Sequence, residues 1–207
     1  MPASRFLLSS ISREDMNLNE KPINKAVFLD RDGTLNIERG YLLHPSDIEL
    51  NPTAGAAMCI LNKLNILTVV ITNQAAIDKK LLSTEQFEKI NNKLWDDLSR
   101  VGAHYDTLYY CPHSPEVTPG CYCRKPKPGL LLQAAEDFNI DLTSSFMIGD
   151  KLTDIEAGHA SGCKTILLLS GHGEKAYKNL ENYEGALPDF VCQNLGEAVK
   201  WLLPNIL

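Results

Sequence analysis

No stretch of this 207-residue chain approaches the apolar length that spans a bilayer. The one early apolar cluster, Phe6-Leu7-Leu8, is too short for the core of a signal peptide. A cytoplasmic protein with no membrane partner is therefore expected. Basic charge is also scarce: 20 Lys and Arg stand against 26 Asp and Glu, a net charge of −6, and no basic stripe exists to follow a nucleic-acid backbone. A nucleic-acid partner is not expected. There is no internal repeat and no linker between domains, which excludes a solenoid or multidomain layout. What remains, 44% hydrophobic and 22% charged residues, is ordinary usage for one domain with a sizeable core, expected to act as a monomer.

Cysteine is sparse and uneven. Cys59, Cys163 and Cys192 each sit alone in apolar segments and read as reduced core residues. Cys111, Cys121 and Cys123 instead cluster within 13 positions around His113, in a stretch broken by Pro112, Pro115, Pro119 and Gly120.

Residues 1 to about 24 lack periodicity and read as a flexible leader; residues 25–207 read as the folded domain. From there strand and helix signals alternate. Strands are expected at 27–30, 67–71, 108–110, 146–150 and 165–169. Helices are expected at about 53–65, from the capping pattern Ser83-Thr84-Glu85-Gln86 to about Arg100, from Pro128 at a first helical position to about Phe138, at 153–161, and around 197–203. Such alternation predicts a single α/β, Rossmann-like domain with a central parallel sheet and helices on both faces.

Val27-Phe28-Leu29 ends abruptly in two carboxylates, Asp30 and Asp32, before Gly33-Thr34. In an open α/β sheet the carboxyl ends of buried strands are where ligands bind. Two crowded aspartates are tolerated when a cation or a proton offsets their repulsion, which points to metal-assisted chemistry. Three further strand ends or nearby loops carry polar groups: Thr72-Asn73-Gln74, Arg124-Lys125-Pro126, and Asp150-Lys151 with Asp154. Acids for a hard cation, a hydroxyl with free amides, and two cations make up what an incoming phosphate group requires.

Asp30-x-Asp32-x-Thr34, Thr72, Lys125 and Gly149-Asp150-x-x-x-Asp154 resemble the four motifs of the haloacid dehalogenase (HAD) superfamily of phosphatases, over about Ala26 to Leu203. The resemblance implies that Asp30 is the nucleophile, forming an aspartyl phosphate, and that Asp32 protonates the leaving oxygen and later activates water. It further implies Mg²⁺ on Asp30, Asp150 and the backbone carbonyl of Asp32. Thr72 and Lys125 would grip the phosphoryl oxygens, with Asp154 acting from behind. Proximity to Asp30 and to the phosphate is expected to raise the proton affinity of Asp32. Only 37 residues separate Thr34 from Thr72, and a helix and a strand already occupy them, so no cap domain is expected.

Three thiolates and an imidazole, from Cys111, His113, Cys121 and Cys123, suit a closed tetrahedral Zn²⁺ site of structural type. Free thiols or a labile disulfide are the competing readings. Arg124 and Lys125 follow Cys123 directly, so a metal there would couple folding of the loop to catalysis.

The segments Asp30 to Asn36, Gly40-Tyr41, Thr72 to Gln74, Cys111-Pro112-His113, Cys121 to Pro126 and Gly149 to Lys151 resemble the heptose 1,7-bisphosphate 7-phosphatases, of a histidinol-phosphatase-like subfamily. That family makes activated heptose for bacterial surface polysaccharide such as lipopolysaccharide. The match implies a phosphorylated sugar as substrate. Glu38, Arg39, Gly40 and Tyr41 would line the sugar site, Asn73, Gln74 and Arg124 would aid recognition, and Lys151 would contact substrate beside the metal. One segment departs: where the family continues Ser-Gly-Ile, a small residue and Arg-Gly, this chain has Ala75-Ala76-Ile77-Asp78-Lys79-Lys80. A lysine does not reproduce the bidentate geometry of an arginine. The alternatives are a histidinol-phosphate phosphatase, which differs mainly over 36–45, and a zinc-stapled binding module without turnover. Asn36 and Gly40-Tyr41 favour the heptose family. His44, His104, His159 and His172 are read as surface or loop residues.

Overall fold

The structure, a computed structural model, describes residues 4–6 and 23–206. Seven strands form one sheet: β1 (Ser4–Phe6), β2 (Ala26–Leu29), β3 (Leu67–Asn73), β4 (Thr107–Cys111), β5 (Phe146–Gly149), β6 (Lys164–Leu168) and β7 (Phe190–Cys192). Their order is β1-β4-β3-β2-β5-β6-β7; β2 to β7 run parallel, and β1 joins the outer edge of β4 antiparallel. The helices are α1 (Ala54–Lys63), α2 (Ala75–Asp78), α3 (Thr84–Arg100), α4 (Gly129–Phe138), α5 (Leu152–Ser161), α6 (Gly173–Lys178) and α7 (Leu195–Ile206). Nothing but a 3-10 turn at Pro45–Asp47, α1 and β3 lies between Thr34 and Thr72, so no cap domain is inserted there.

Side-chain alternation on the central strand explains the two-faced core. Val27 and Leu29 of β2 point to one side, where they join Met58 and Leu61 of α1, Phe87 and Leu94 of α3 and Leu202 of α7. Ala26 and Phe28 point to the other, against Leu130 and Ala134 of α4 and Ala157 of α5. Both faces are thus covered, and β2 is buried along its whole length.

Each expected helix and strand is present, with ends shifted by a few residues. Pro128 precedes α4 as its N-cap rather than opening its first turn. Four short elements escaped the sequence pattern: α2, α6, β7 and β1. Each is too short for a periodicity to show. The expected leader lies mostly outside the described residues; Ser4–Phe6 within it pair with β4. At the N-terminus of α3, the Ser83 hydroxyl accepts the Gln86 N–H at 3.1 Å, as the capping pattern predicted. Replacing Ser83→Ala should lower the unfolding free energy by about 1 kcal/mol, with Ser83→Asp restoring it, as measured by urea denaturation.

Candidate active site

The chain order reverses between β2 and β5, and both candidate carboxylates emerge there. Leu29 pairs with Ile148, and the Asp30 N–H donates to the Ile148 carbonyl at 2.9 Å, so Asp30 and Asp150 leave adjacent strand ends into one crevice. Ligand atoms of Asp30, Asp150 and Asp154 lie within 4.8 Å of one another, and all three residues are buried. Burial, reinforced by the Asp30 charge, pushes the Asp150 carboxyl well above the ordinary carboxylate range. Burial raises Asp154 as well, against the pull of Lys125.

Lys125 is the counter-charge. Its Nζ lies 2.8 Å from Asp30 Oδ1 and 2.6 Å from Asp154 Oδ1, and it donates to the Ile71 carbonyl at 2.7 Å. Burial opposes its charge, but Asp154 and Asp30 outweigh that and hold it protonated. The Asn73 side chain clamps the lysine's own backbone on both sides, accepting the Lys125 N–H at 3.1 Å and donating to its carbonyl at 3.0 Å. The other Asp154 oxygen accepts the Lys151 N–H at 3.0 Å, so both oxygens of Asp154 are engaged.

Asp150 differs. Its Oδ2 accepts the His172 N–H at 2.7 Å, whereas Oδ1 is buried without a hydrogen bond, the nearest cation being Lys151 Nζ at 3.7 Å. The carboxylate is walled by glycines: a Cβ on Gly33 (φ +88°) or on Gly171 (φ +55°) would stand 2.2 Å from Asp150 Oδ2. An unsatisfied, deeply buried carboxylate oxygen facing a second aspartate is the donor set a hard divalent cation takes. The residues present fit Mg²⁺.

Asp32 is turned away from that cluster. Arg31 chelates it through Nε at 3.1 Å and Nη2 at 2.9 Å, Asn36 donates at 3.0 Å and Gln74 at 2.9 Å, so each oxygen receives two donors. In the free chain the proton affinity of Asp32 lies on the low side. Burial works to raise it, but the Arg31 charge and the hydrogen bonds from Arg31, Asn36 and Gln74 together hold Asp32 below the usual value. Gln74 also donates to the buried Thr72 hydroxyl at 2.9 Å, tying the two strand ends together.

The cysteine loop closes on itself. Cys111, at the end of β4, with His113, Cys121 and Cys123 forms a compact cage whose six edges run from 3.0 to 3.6 Å. These edges approach those of a tetrahedron around an ion bonded at about 2.0 to 2.3 Å. All six cysteines are free, so the cage contains no disulfide. Arg124 Nη1 donates to the His113 carbonyl at 3.0 Å, fixing the residue that precedes Lys125 to the cage.

A cavity of about 270 Å³ opens over the crevice, lined by Asp32, Glu38, Gly40, Tyr41, Asn73, Gln74, Ala75, Lys151 and His172. Of the residues expected to meet substrate, Arg39 and Arg124 do not line it. Arg39 pairs with Glu49 at the surface. The departing segment turns out to be a bridge: Lys79 reaches Glu116 of the cysteine loop and sits 5.8 Å from the centre of the Tyr41 ring, while Asp78 accepts the Ser114 N–H at 2.8 Å. His172, read as a surface or loop residue, is exposed in the loop after β6 and also forms a wall of the cavity, with Nε2 3.4 Å from the Glu38 carboxylate that also pairs with Lys151 at 2.8 Å. Its position after β6, at the same sheet edge as the other sites, was the signal available. Arg31 also escaped notice, since an arginine between two aspartates reads as a solvated charge.

The profile of the HAD-hydrolase-like family matches residues 122–198. Among curated proteins, a D-glycero-β-D-manno-heptose-1,7-bisphosphate 7-phosphatase of Helicobacter pylori is 37% identical over 180 residues, 86% of this chain and 97% of the relative. The same enzyme of Haemophilus ducreyi is 41% identical over 162 residues, 73% of this chain and 89% of the relative. Among solved structures, the D,D-heptose 1,7-bisphosphate phosphatase of B. bronchiseptica, complexed with magnesium and phosphate, superposes with a TM-score of 0.80 at 30% identity, covering 87% of this chain and 98% of that one. With that coverage and identity, the chain belongs to the HAD superfamily, in the family of D-glycero-β-D-manno-heptose-1,7-bisphosphate 7-phosphatases.

Proposed function

We propose that this chain removes the 7-phosphate of D-glycero-D-manno-heptose 1,7-bisphosphate through an aspartyl phosphate on Asp30. The observation that carries this is the pairing of Asp30 with a buried lysine beside the orphaned Asp150 oxygen. A carboxylate approaching a phosphate dianion is opposed by charge, and Lys125 supplies a fixed positive centre against Asp30. Asp30 and Asp150, with the backbone carbonyl of Asp32, would hold Mg²⁺; when bound, the ion cancels the negative charge of the phosphoryl group and fixes its orientation. Asp154 keeps Lys125 in place from behind.

In the first half-reaction an Asp30 oxygen bonds to phosphorus as the bond to the sugar oxygen breaks, and Asp32 gives its proton to that oxygen. In the second, Asp32 takes a proton from water as the water oxygen bonds to phosphorus and the bond to Asp30 breaks, releasing inorganic phosphate. The low proton affinity of Asp32 makes it a ready donor once it carries a proton, and keeps it ionised, the form that takes a proton from water, between the two halves. Thr72 and Lys125 hold the phosphoryl oxygens, and Glu38, Gly40, Tyr41, Asn73, Gln74 and Lys151 meet the sugar and its distal phosphate. The cage holds Zn²⁺, and its role is structural: a polar loop with no apolar face to bury needs such a staple to present Arg124 and Lys125.

Asp30→Asn should reduce Mg²⁺-dependent phosphate release from the heptose bisphosphate to background, measured with a coupled phosphate assay. For the intact chain, kcat/KM for the heptose bisphosphate should exceed that for histidinol phosphate; the reverse order in a direct competition would overturn the choice of substrate. Stripping zinc with a chelator and restoring Mg²⁺ should lower kcat by up to about a hundredfold, because Lys125 loses its anchor, and added Zn²⁺ should recover it. Turnover unchanged after complete zinc removal, verified by elemental analysis, would remove the cage from the argument.

A further inference from the structure

Arg31 is among the largest fully buried side chains of the chain, 1% exposed, in a core of apolar residues. Its guanidinium has two engagements. Nε and Nη2 fork onto the two oxygens of Asp32, and Nη1 donates to Asn91 Oδ1 at 3.0 Å. The ring of Phe87 lies 5.6 Å away. Asn91 is the one polar residue among the five buried positions of α3, the others being Phe87, Ile90, Leu94 and Leu98, and its amide nitrogen has no partner. Burying a charge is costly, and a well-packed apolar side chain generally serves stability as well or better. Two polar residues that satisfy each other only in part, in an otherwise apolar layer, are spent on orientation instead: a planar fork fixes both oxygens of a carboxylate, which a point charge does not do.

We propose that Arg31 and Asn91 are positioning residues for Asp32, with α3 acting through Asn91 and the Arg31 fork to set the direction in which the Asp32 carboxylate delivers and takes its proton. The proposal rests on the acid and base roles given to Asp32 above. Neither residue lines the cavity, and both are buried.

The test uses the leaving group as a readout. Proton delivery matters most when a sugar alkoxide departs and little when p-nitrophenolate departs, while water activation matters for both. The Mg²⁺-loaded full chain carrying Asn91→Leu, and separately Arg31→Lys, would be compared with the parent on heptose bisphosphate and on p-nitrophenyl phosphate. For misdirection of the carboxylate, kcat on the bisphosphate should fall by about a hundredfold with KM within about twofold. On the aryl phosphate both variants should show a burst of one nitrophenolate per chain before a slow steady state, because the phosphorylated Asp30 then accumulates. Equal losses on the two substrates with no burst would mean that Arg31 and Asn91 only support the fold, and would overturn the proposal. Asp32→Asn separates the two levels of inference: if it too lacks the burst, the acid and base reading of Asp32 fails; if it shows the burst and the other variants do not, only the positioning role fails.

Discussion

Two buried aspartates at neighbouring strand ends and a third in the first turn of α5 repel one another, and the rest of the site is arranged around holding them together. Lys125 balances part of that charge by sitting between Asp30 and Asp154, and Asp150 is left with one oxygen unsatisfied. Such a cluster is unfavourable in water-poor surroundings unless a cation completes it. Its geometry is enforced by the backbone: β2 and β5 are hydrogen-bonded neighbours, and Gly33 and Gly171 leave only the space that the Asp150 carboxylate fills. The instability is therefore local and is offset by the apolar layers on both sheet faces.

Lys125 does not reach this position from a rigid element. It comes from a loop that contains no strand or helix of its own and that the cysteine and histidine cage gathers. The Asn73 clamp on its backbone and the Arg124 contact to His113 join the cage to the strand ends. Two sites that differ in chemistry, one hard and oxygen-rich, the other soft and sulfur-rich, are mechanically one unit through a single lysine.

The departure at Ala75 to Lys80 belongs to the same unit. Where the family pattern has an arginine and then a glycine, this chain has Lys79 and Lys80, and Lys80 adopts the left-handed conformation (φ +57°) that a glycine would take without cost. Asp78 and Lys79 then connect the cysteine loop to Tyr41 on the cavity wall. With no cap between Thr34 and Thr72, such loop contacts are what shape the mouth of the cavity.

The run Val27-Phe28-Leu29 before paired acids, the regular alternation of strand and helix, and the Ser83 cap were legible because each depends on neighbours in sequence: burial of a continuous apolar run, connection length, and a hydroxyl three residues from a free N–H. The soft ligands of the cage were legible by residue type. The direction of the Asp32 shift was not, because it is set first by the charge of Arg31, whose burial against α3 only the fold produces, and last by Gln74, 42 positions away. Nor was His172, whose backbone N–H meets Asp150 only because β6 lies beside β5. Sequence by itself determined the fold class and the chemical inventory, since both follow from local pattern and side-chain identity. Only the tertiary structure decided which carboxylate is clamped and which is left open, because charge balance in a buried site depends on distances that the chain fixes after it has folded.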